Sequence, residues 1–238
     1  SYTYDNKSKN LRNTTWWQTT VTESGNLLSV AKAVIGQKFN VKNKTLFHNP
    51  YAQFLKLTTE YRRKFILSER MSLATRVMGG IIFTYGNSKV APYNEQFYVG
   101  GANSIRAYTV RSVGPGGFHS SNSSFLDQTG DFKFEANAEF RFNLVGHFNG
   151  AVFLDAGNVW LTKKDPDRPD AELRLKNVFK QIALGTGIGL RYDMDFLVLR
   201  LDLGIALHNP YPTGKKGYYN IPRFKDSTSL HFAIGYPF

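Results

Sequence analysis

The sequence predicts an all-β chain, a transmembrane antiparallel β-barrel, and three observations predict it. The first is alternation. In DFKFEANAEFRFN, Asp131 to Asn143, the residues Phe132, Phe134, Ala136, Ala138, Phe140 and Phe142 are apolar, while Lys133, Glu135, Asn137, Glu139 and Arg141 are polar or charged. That is a strict period of two, so one face of the strand is apolar and the other ionic. The second is composition. The 238 residues include 19 Phe, 13 Tyr and 3 Trp, yet the mean hydropathy is −0.34, because placing apolar residues at every second position keeps one face apolar while halving the average. The run of about eighteen apolar residues that a spanning helix requires is absent. The third is the spacing of the links. Those at Ile66 to Glu69, Leu144 to Gly146 and Asp193 to Asp195 are tight, whereas those at Gly25 to Asn49, Asn87 to Gly130, Leu161 to Lys180 and His208 to Ser227 are long. Short turns on the periplasmic side and long loops on the outside are the habit of outer-membrane barrels.

Taken in order, residues 1–5 read as the end of a strand cut midway, and SYTYDNKSKN has neither the charged start nor the apolar core of a signal peptide. The chain is therefore expected to be one domain, 1–238, forming the C-terminal part of a larger barrel whose earlier strands lie upstream. A strand at 13–24 follows. LLSVAKAVIG, Leu27 to Gly36, then has helical spacing, with Leu27, Leu28, Ala31, Val34 and Ile35 on one side, which predicts a short amphipathic cap packed into the barrel mouth. Strands are expected at 51–65, 71–86, 131–143 and 147–160. In the last of these Asp155 shares its side with Ala151, Phe153 and Gly157, opposite Val152 and Leu154. The strand at 181–192 places Ile182, Leu184, Ile188, Leu190 and Tyr192 outward and Gly185, Gly187, Gly189 and Arg191 inward. Missing side chains on the inner face predict something bulky held against it. The strand at 196–207 sets its leucines opposite Arg200, Asp202 and Gly204. The last, 228–238, has Leu230, Phe232, Ile234, Tyr236 and Phe238 on one face, interrupted by Gly235 and Pro237. Proline cannot donate to a ladder and marks an edge, so these residues predict a weak seam at which unpaired backbone could template an incoming strand.

Several function classes are disfavoured. The formal charge of +12 is carried by residues scattered singly rather than on one basic face, which argues against nucleic acid. Cysteine is absent, and the five histidines lack metal-ligand spacing, so no metal or cofactor is expected. Nothing reads as G-x-S-x-G, and His48 and His208 read as structural loop histidines, so no catalytic residue and no enzyme activity are expected.

The long loop carries FYVGGANSIRAY, with Gly100, Gly101, Ile105, Arg106, Ala107 and Tyr108. It resembles the sixth-loop motif of the BamA and TamA superfamily, the bacterial surface-antigen barrels, in which two glycines precede Val-Arg-Gly-Phe or Tyr; Ala107 replaces the usual glycine. AEFRFNL, FLDAGNVW, GTGIGLRY, LRLDLGIAL and the terminal HFAIGYPF resemble the strands that follow it, in the family's order, from about residue 70 to the end. SGNLLSVAKAVIG is similar to Bacteroidetes-type members. The resemblance implies a barrel of about sixteen strands in the bacterial outer membrane, of which this chain supplies about eight. It also implies a sixth loop folded into the lumen, where Arg106 would pair with Glu139 and Asp155. Parity independently turns both carboxylates inward on adjacent strands, within reach of one planar guanidinium fork. If the usual glycine serves positive φ, alanine at 107 implies strain there. The implied function is an insertase that folds client barrels or moves polypeptide through a lateral seam. The implied partners are outer-membrane lipid and lipopolysaccharide, client outer-membrane proteins, and periplasmic or lipoprotein accessory subunits. The alternatives are a two-partner-secretion-type transporter and a passive outer-membrane channel.

Overall fold

A computed structural model of the chain describes residues 1–6, 13–34, 36, 45–46, 49–86, 88–119, 128–194 and 196–238. Nine strands join in chain order into one antiparallel sheet: β1 (Tyr2–Asp5), β2 (Asn13–Ser24), β3 (Phe54–Ser68), β4 (Met71–Thr84), β5 (Phe132–Val145), β6 (Phe148–Trp160), β7 (Ala183–Asp193), β8 (Val198–His208) and β9 (Thr228–Ile234). Two-residue strands, Thr45–Leu46 and Asn49–Pro50, pair only with each other. β1 and β9 are the two edges.

Each ladder follows from the alternation read in the sequence. On β5 the polar and charged residues Lys133, Glu135, Asn137 and Glu139 are buried, while their apolar neighbours are less covered. The contrast is sharper on β6 to β9. There Leu154, Ile188, Leu201 and Phe232 stand open on one face, and Asp155, Arg191, Arg200 and Asp202 on the other are almost fully buried. A soluble protein inverts this arrangement, whereas a membrane barrel requires it, since its outer face meets acyl chains. The sheet curls until Arg141 of β5 lies 4.4 Å from the ring of Tyr236, beyond β9.

Tight turns and long loops alternate along the sheet. β3 runs three residues further than 51–65, because Ser68 pairs with Met71 and closes a two-residue turn at Glu69 and Arg70. Gly146, at φ +52°, turns β5 into β6. Asp195, expected in the β7–β8 turn, lies outside the described residues, as do Ile35 and His48.

Two expectations fail here. The helix α1 (Asn26–Val34) forms, but Leu27 and Val34 are 81% and 83% exposed and do not pack into the core. Its one buried residue is Ser29, whose Oγ donates to the Gly25 carbonyl and accepts from the Gln53 amide at 2.8 Å. A polar cradle therefore fixes the helix and turns its apolar side away. The terminal strand is also shorter than expected: β9 ends at Ile234, so Gly235, Tyr236, Pro237 and Phe238 are not part of it. Gly235 adopts φ +83° and breaks the alternation. Tyr236 and Phe238 thus leave the face of Leu230 and Phe232 and lie over Arg141, at 4.4 and 5.7 Å. Pro237 interrupts no ladder, because the ladder has already ended.

Candidate functional site

The long connection from β4 to β5 folds back against the inner wall. Its base is closed by reciprocal backbone hydrogen bonds of 2.9 Å between Phe97 and Gly130. Gly100 and Gly101 follow at φ +98° and +93°, a region that side chains strain to enter. At Gly101 a β-carbon would stand 2.6 Å from the Val110 side chain. Past this bend the chain closes on itself, with the Gly101 N–H donating to the Tyr108 carbonyl at 2.8 Å and the Ser104 hydroxyl accepting from the Gly100 N–H at 3.0 Å. Ile105 and Arg106 at the tip are completely buried.

Arg106 is held from several directions. Its Nε and Nη2 donate to the two oxygens of Asp155 at 2.8 and 2.9 Å, a bidentate pair. Its own backbone N–H adds a third bond to Asp155, at 3.0 Å. Nη1 donates to Glu139. The guanidinium also lies 3.6 Å from the ring centre of Phe153, a stacking contact that suits its planar, weakly hydrated cation. Burial alone would lower the arginine's pKa, but Asp155 and Glu139 outweigh it and hold it above its ordinary value.

The sequence-predicted residues Arg106, Glu139 and Asp155 thus come together, and further residues complete the cluster. Glu139 accepts from Arg141 at 2.7 Å and from Arg191 at 3.1 Å. Arg191 also donates to Asp202 at 2.6 Å. Asn137 donates both to Asp155, at 2.9 Å, and to the Ser104 carbonyl, at 3.0 Å. A second set grips the other side of the loop tip. Arg76 donates to Glu135 and, at 2.9 Å, to the Asn103 carbonyl, and Arg200 donates to the Asn103 side chain at 2.6 Å. All these wall residues lie on the inward parity of their strands, which was the available sequence signal. Which of them meet depends on cross-strand register, which no single strand encodes.

Backbone space on the wall is matched to the loop. A β-carbon on Gly204 would collide with the Arg106 carbonyl, and one on Gly185 with the Ala107 methyl. Of the three glycines expected to face something bulky, Gly185 meets the loop tip, whereas Gly187 meets the Phe153 ring and Gly189 the side chains of Arg191 and Asp202. Ala107 is buried, and it is not among the described non-glycine residues at positive φ, which are Arg111 and Asp170; no left-handed strain arises at 107. Tyr108 sends its hydroxyl to the carbonyl of His208 at 2.6 Å, and burial raises its pKa. His208 ends β8 rather than lying in a loop, and its ring stacks on Tyr218 with centres 4.2 Å apart. Among the described residues no cluster of metal-ligating side chains is present. The arrangement is an electrostatic lock that fixes a loop to a wall.

An antiparallel wall with an apolar outer face, a charged inner face and a loop locked onto that inner face defines an outer-membrane β-barrel with an occupied lumen. The chain belongs to the Omp85 superfamily, whose domain it matches over residues 1–238. It is 30% identical over 122 residues to the outer membrane protein assembly factor BamA of Neisseria meningitidis serogroup B, an alignment covering 48% of this chain and 15% of that protein. A solved structure of BamA from Haemophilus ducreyi lacking POTRA domains 1–3 shares the fold, with a TM-score of 0.54 at 15% identity over 94% of this chain and 52% of that one. The chain therefore spans about half the length of the solved relative and a smaller share of the curated one.

Proposed function

We propose that this chain is the C-terminal wall of an outer-membrane assembly factor that folds client β-barrels, or passes polypeptide, through a lateral seam. The observation that carries the reading is the buried lock at Arg106, which ties a long loop to β5, β6 and β8 close to the free edge at β9. An edge strand offers unpaired N–H and C=O groups on which an incoming strand can form, and a fixed loop keeps that edge in register. The seam is ascribed to β9 itself, whose ladder ends at Gly235. No catalytic group is needed, because a client's own folding in lipid supplies the free energy. Lipid and lipopolysaccharide would bathe the outer face, and accessory lipoproteins would attach outside this wall. A passive channel is disfavoured by the loop locked onto the inner wall.

The test is complementation in cells depleted of the chromosomal copy. The full-length protein carrying Arg106→Ala should reach the membrane yet lose heat-modifiability and leave client barrels unfolded. Normal growth and normal client levels would overturn the reading. Normal clients with loss of one dedicated secreted substrate would assign a two-partner-type transporter instead.

A further inference from the structure

Nearer the tight turns the inner wall carries further cations, of which Lys64 and Arg70 take no part in holding the loop. There the lumen opens into a cavity of about 490 Å³ whose charged lining comprises Lys64, Arg70, Arg141, Arg191 and a single acid, Glu69. Arg141 and Arg191 are engaged by Glu139, although the buried Nε of Arg191 has no hydrogen-bond partner among the described residues. Lys64 and Arg70 are exposed, and among the described residues neither makes an ion pair. Nearby Lys64, Arg62 adds a further cation, held by Glu60 at 2.7 Å. Asn143 and Asn149 contribute amide groups, and Ile66 and Tyr236 contribute apolar surface.

We propose that this turn-side opening is a docking site for acidic segments of unfolded polypeptide. A cleft lined by one sign of charge focuses its field on the opening and raises the local concentration of the opposite charge. Guanidinium and ammonium groups pair with carboxylates, and the asparagine amides and the apolar surface suit a peptide backbone and its side chains. Lys64, Arg141, Arg191 and Asn149 lie on the inward parity of their strands, away from the acyl chains, so polypeptide rather than membrane lipid fits the site. The identity of the ligand as a client segment rests on the function proposed above; the cationic cavity does not.

The experiment uses full-length protein in nanodiscs and a hexaglutamate peptide carrying an uncharged fluorophore, followed by anisotropy at low salt. The acidic peptide should bind and a hexalysine control should not. Binding should vanish as salt is raised to about 0.5 M, where exposed charges are screened. The double variant Lys64→Gln and Arg70→Gln should weaken binding about fivefold, the loss expected for two solvent-screened contacts, and Glu69→Gln should strengthen it. Equal binding to wild type and double variant, or full competition by phosphatidylglycerol vesicles, would overturn the proposal. Failure of peptide binding while client assembly stays normal would sink this inference alone. Failure of client assembly to depend on Arg106 would sink the functional reading and leave the binding result standing.

Discussion

Replacing Arg106 with alanine should release the loop from the wall. The substitution removes two bonds to Asp155, at 2.8 and 2.9 Å, the bond to Glu139, and the stack on Phe153 at 3.6 Å. The carboxylates are not left bare. Glu139 keeps Arg141 at 2.7 Å and Arg191 at 3.1 Å, and Asp155 keeps Asn137 at 2.9 Å and the backbone N–H of residue 106 at 3.0 Å. Breaking a buried ion pair from one side costs about 3–5 kcal/mol, and the surviving partners put this case at the lower end, about 3 kcal/mol. That corresponds to about a hundredfold shift from docked toward released loop. The assay exploits two features of the chain: it has no cysteine, and Ile105 is completely buried. An Ile105→Cys thiol therefore reacts with maleimide only when the loop opens. Adding Arg106→Ala should accelerate labelling about a hundredfold, and Arg106→Lys should fall between, since an ammonium cannot span both carboxylates. A rate within about threefold of the arginine-containing protein would refute the reasoning.

The same labelling rate checks three further expectations. Gly204→Ala places a methyl against the Arg106 carbonyl and should cost about 1–3 kcal/mol of docking, whereas Gly79→Ala, whose β-carbon would stand 3.8 Å from the Lys133 carbonyl oxygen, an ordinary contact, should change nothing. Tyr108→Phe removes the 2.6 Å bond to His208 and should cost about 1 kcal/mol, read as roughly fivefold faster labelling. Docking should also be flat between about pH 7 and pH 9, after correction for the reagent thiol's own ionisation. Arg106 and Tyr108 are both held above their ordinary values, so the stability each protonated form adds is fully present below about pH 10 and is lost only on going higher. A fall in docking between about pH 7 and pH 9 would contradict that assignment.

The inside-out character of the wall was legible because strand side chains alternate faces over most of β5, β7 and β8, and a charged face beside an apolar one leaves few alternatives. Glu139 and Asp155 were legible as inward carboxylates for the same reason. The glycine run of β7 also announced bulk on the inner face: at Gly185 it is the Ala107 methyl of the loop, while at Gly187 and Gly189 it is the wall's own Phe153, Arg191 and Asp202. The roles of Arg191, Asp202 and Asn137 were not legible. Each shares the inner face with many others, and only register and curl decide which three or four converge. The terminal residues misled because parity was carried past Gly235, where a positive φ ends the alternation. The helix misled for another reason: spacing identifies an apolar side but not which way it points, and here Ser29, Gln53 and Tyr51 make a polar contact that outweighs it.

The central claim is that Arg106 and Asp155 act on the loop as one coupled pair inside the barrel. A double-mutant cycle with Arg106→Ala, Asp155→Ala and both together, read through Ile105→Cys labelling of the full-length protein in lipid, tests it directly. The account predicts a coupling energy of about 2 kcal/mol or more, the double variant opening scarcely more than either single one. Effects that simply add, to within about 0.5 kcal/mol, would contradict it.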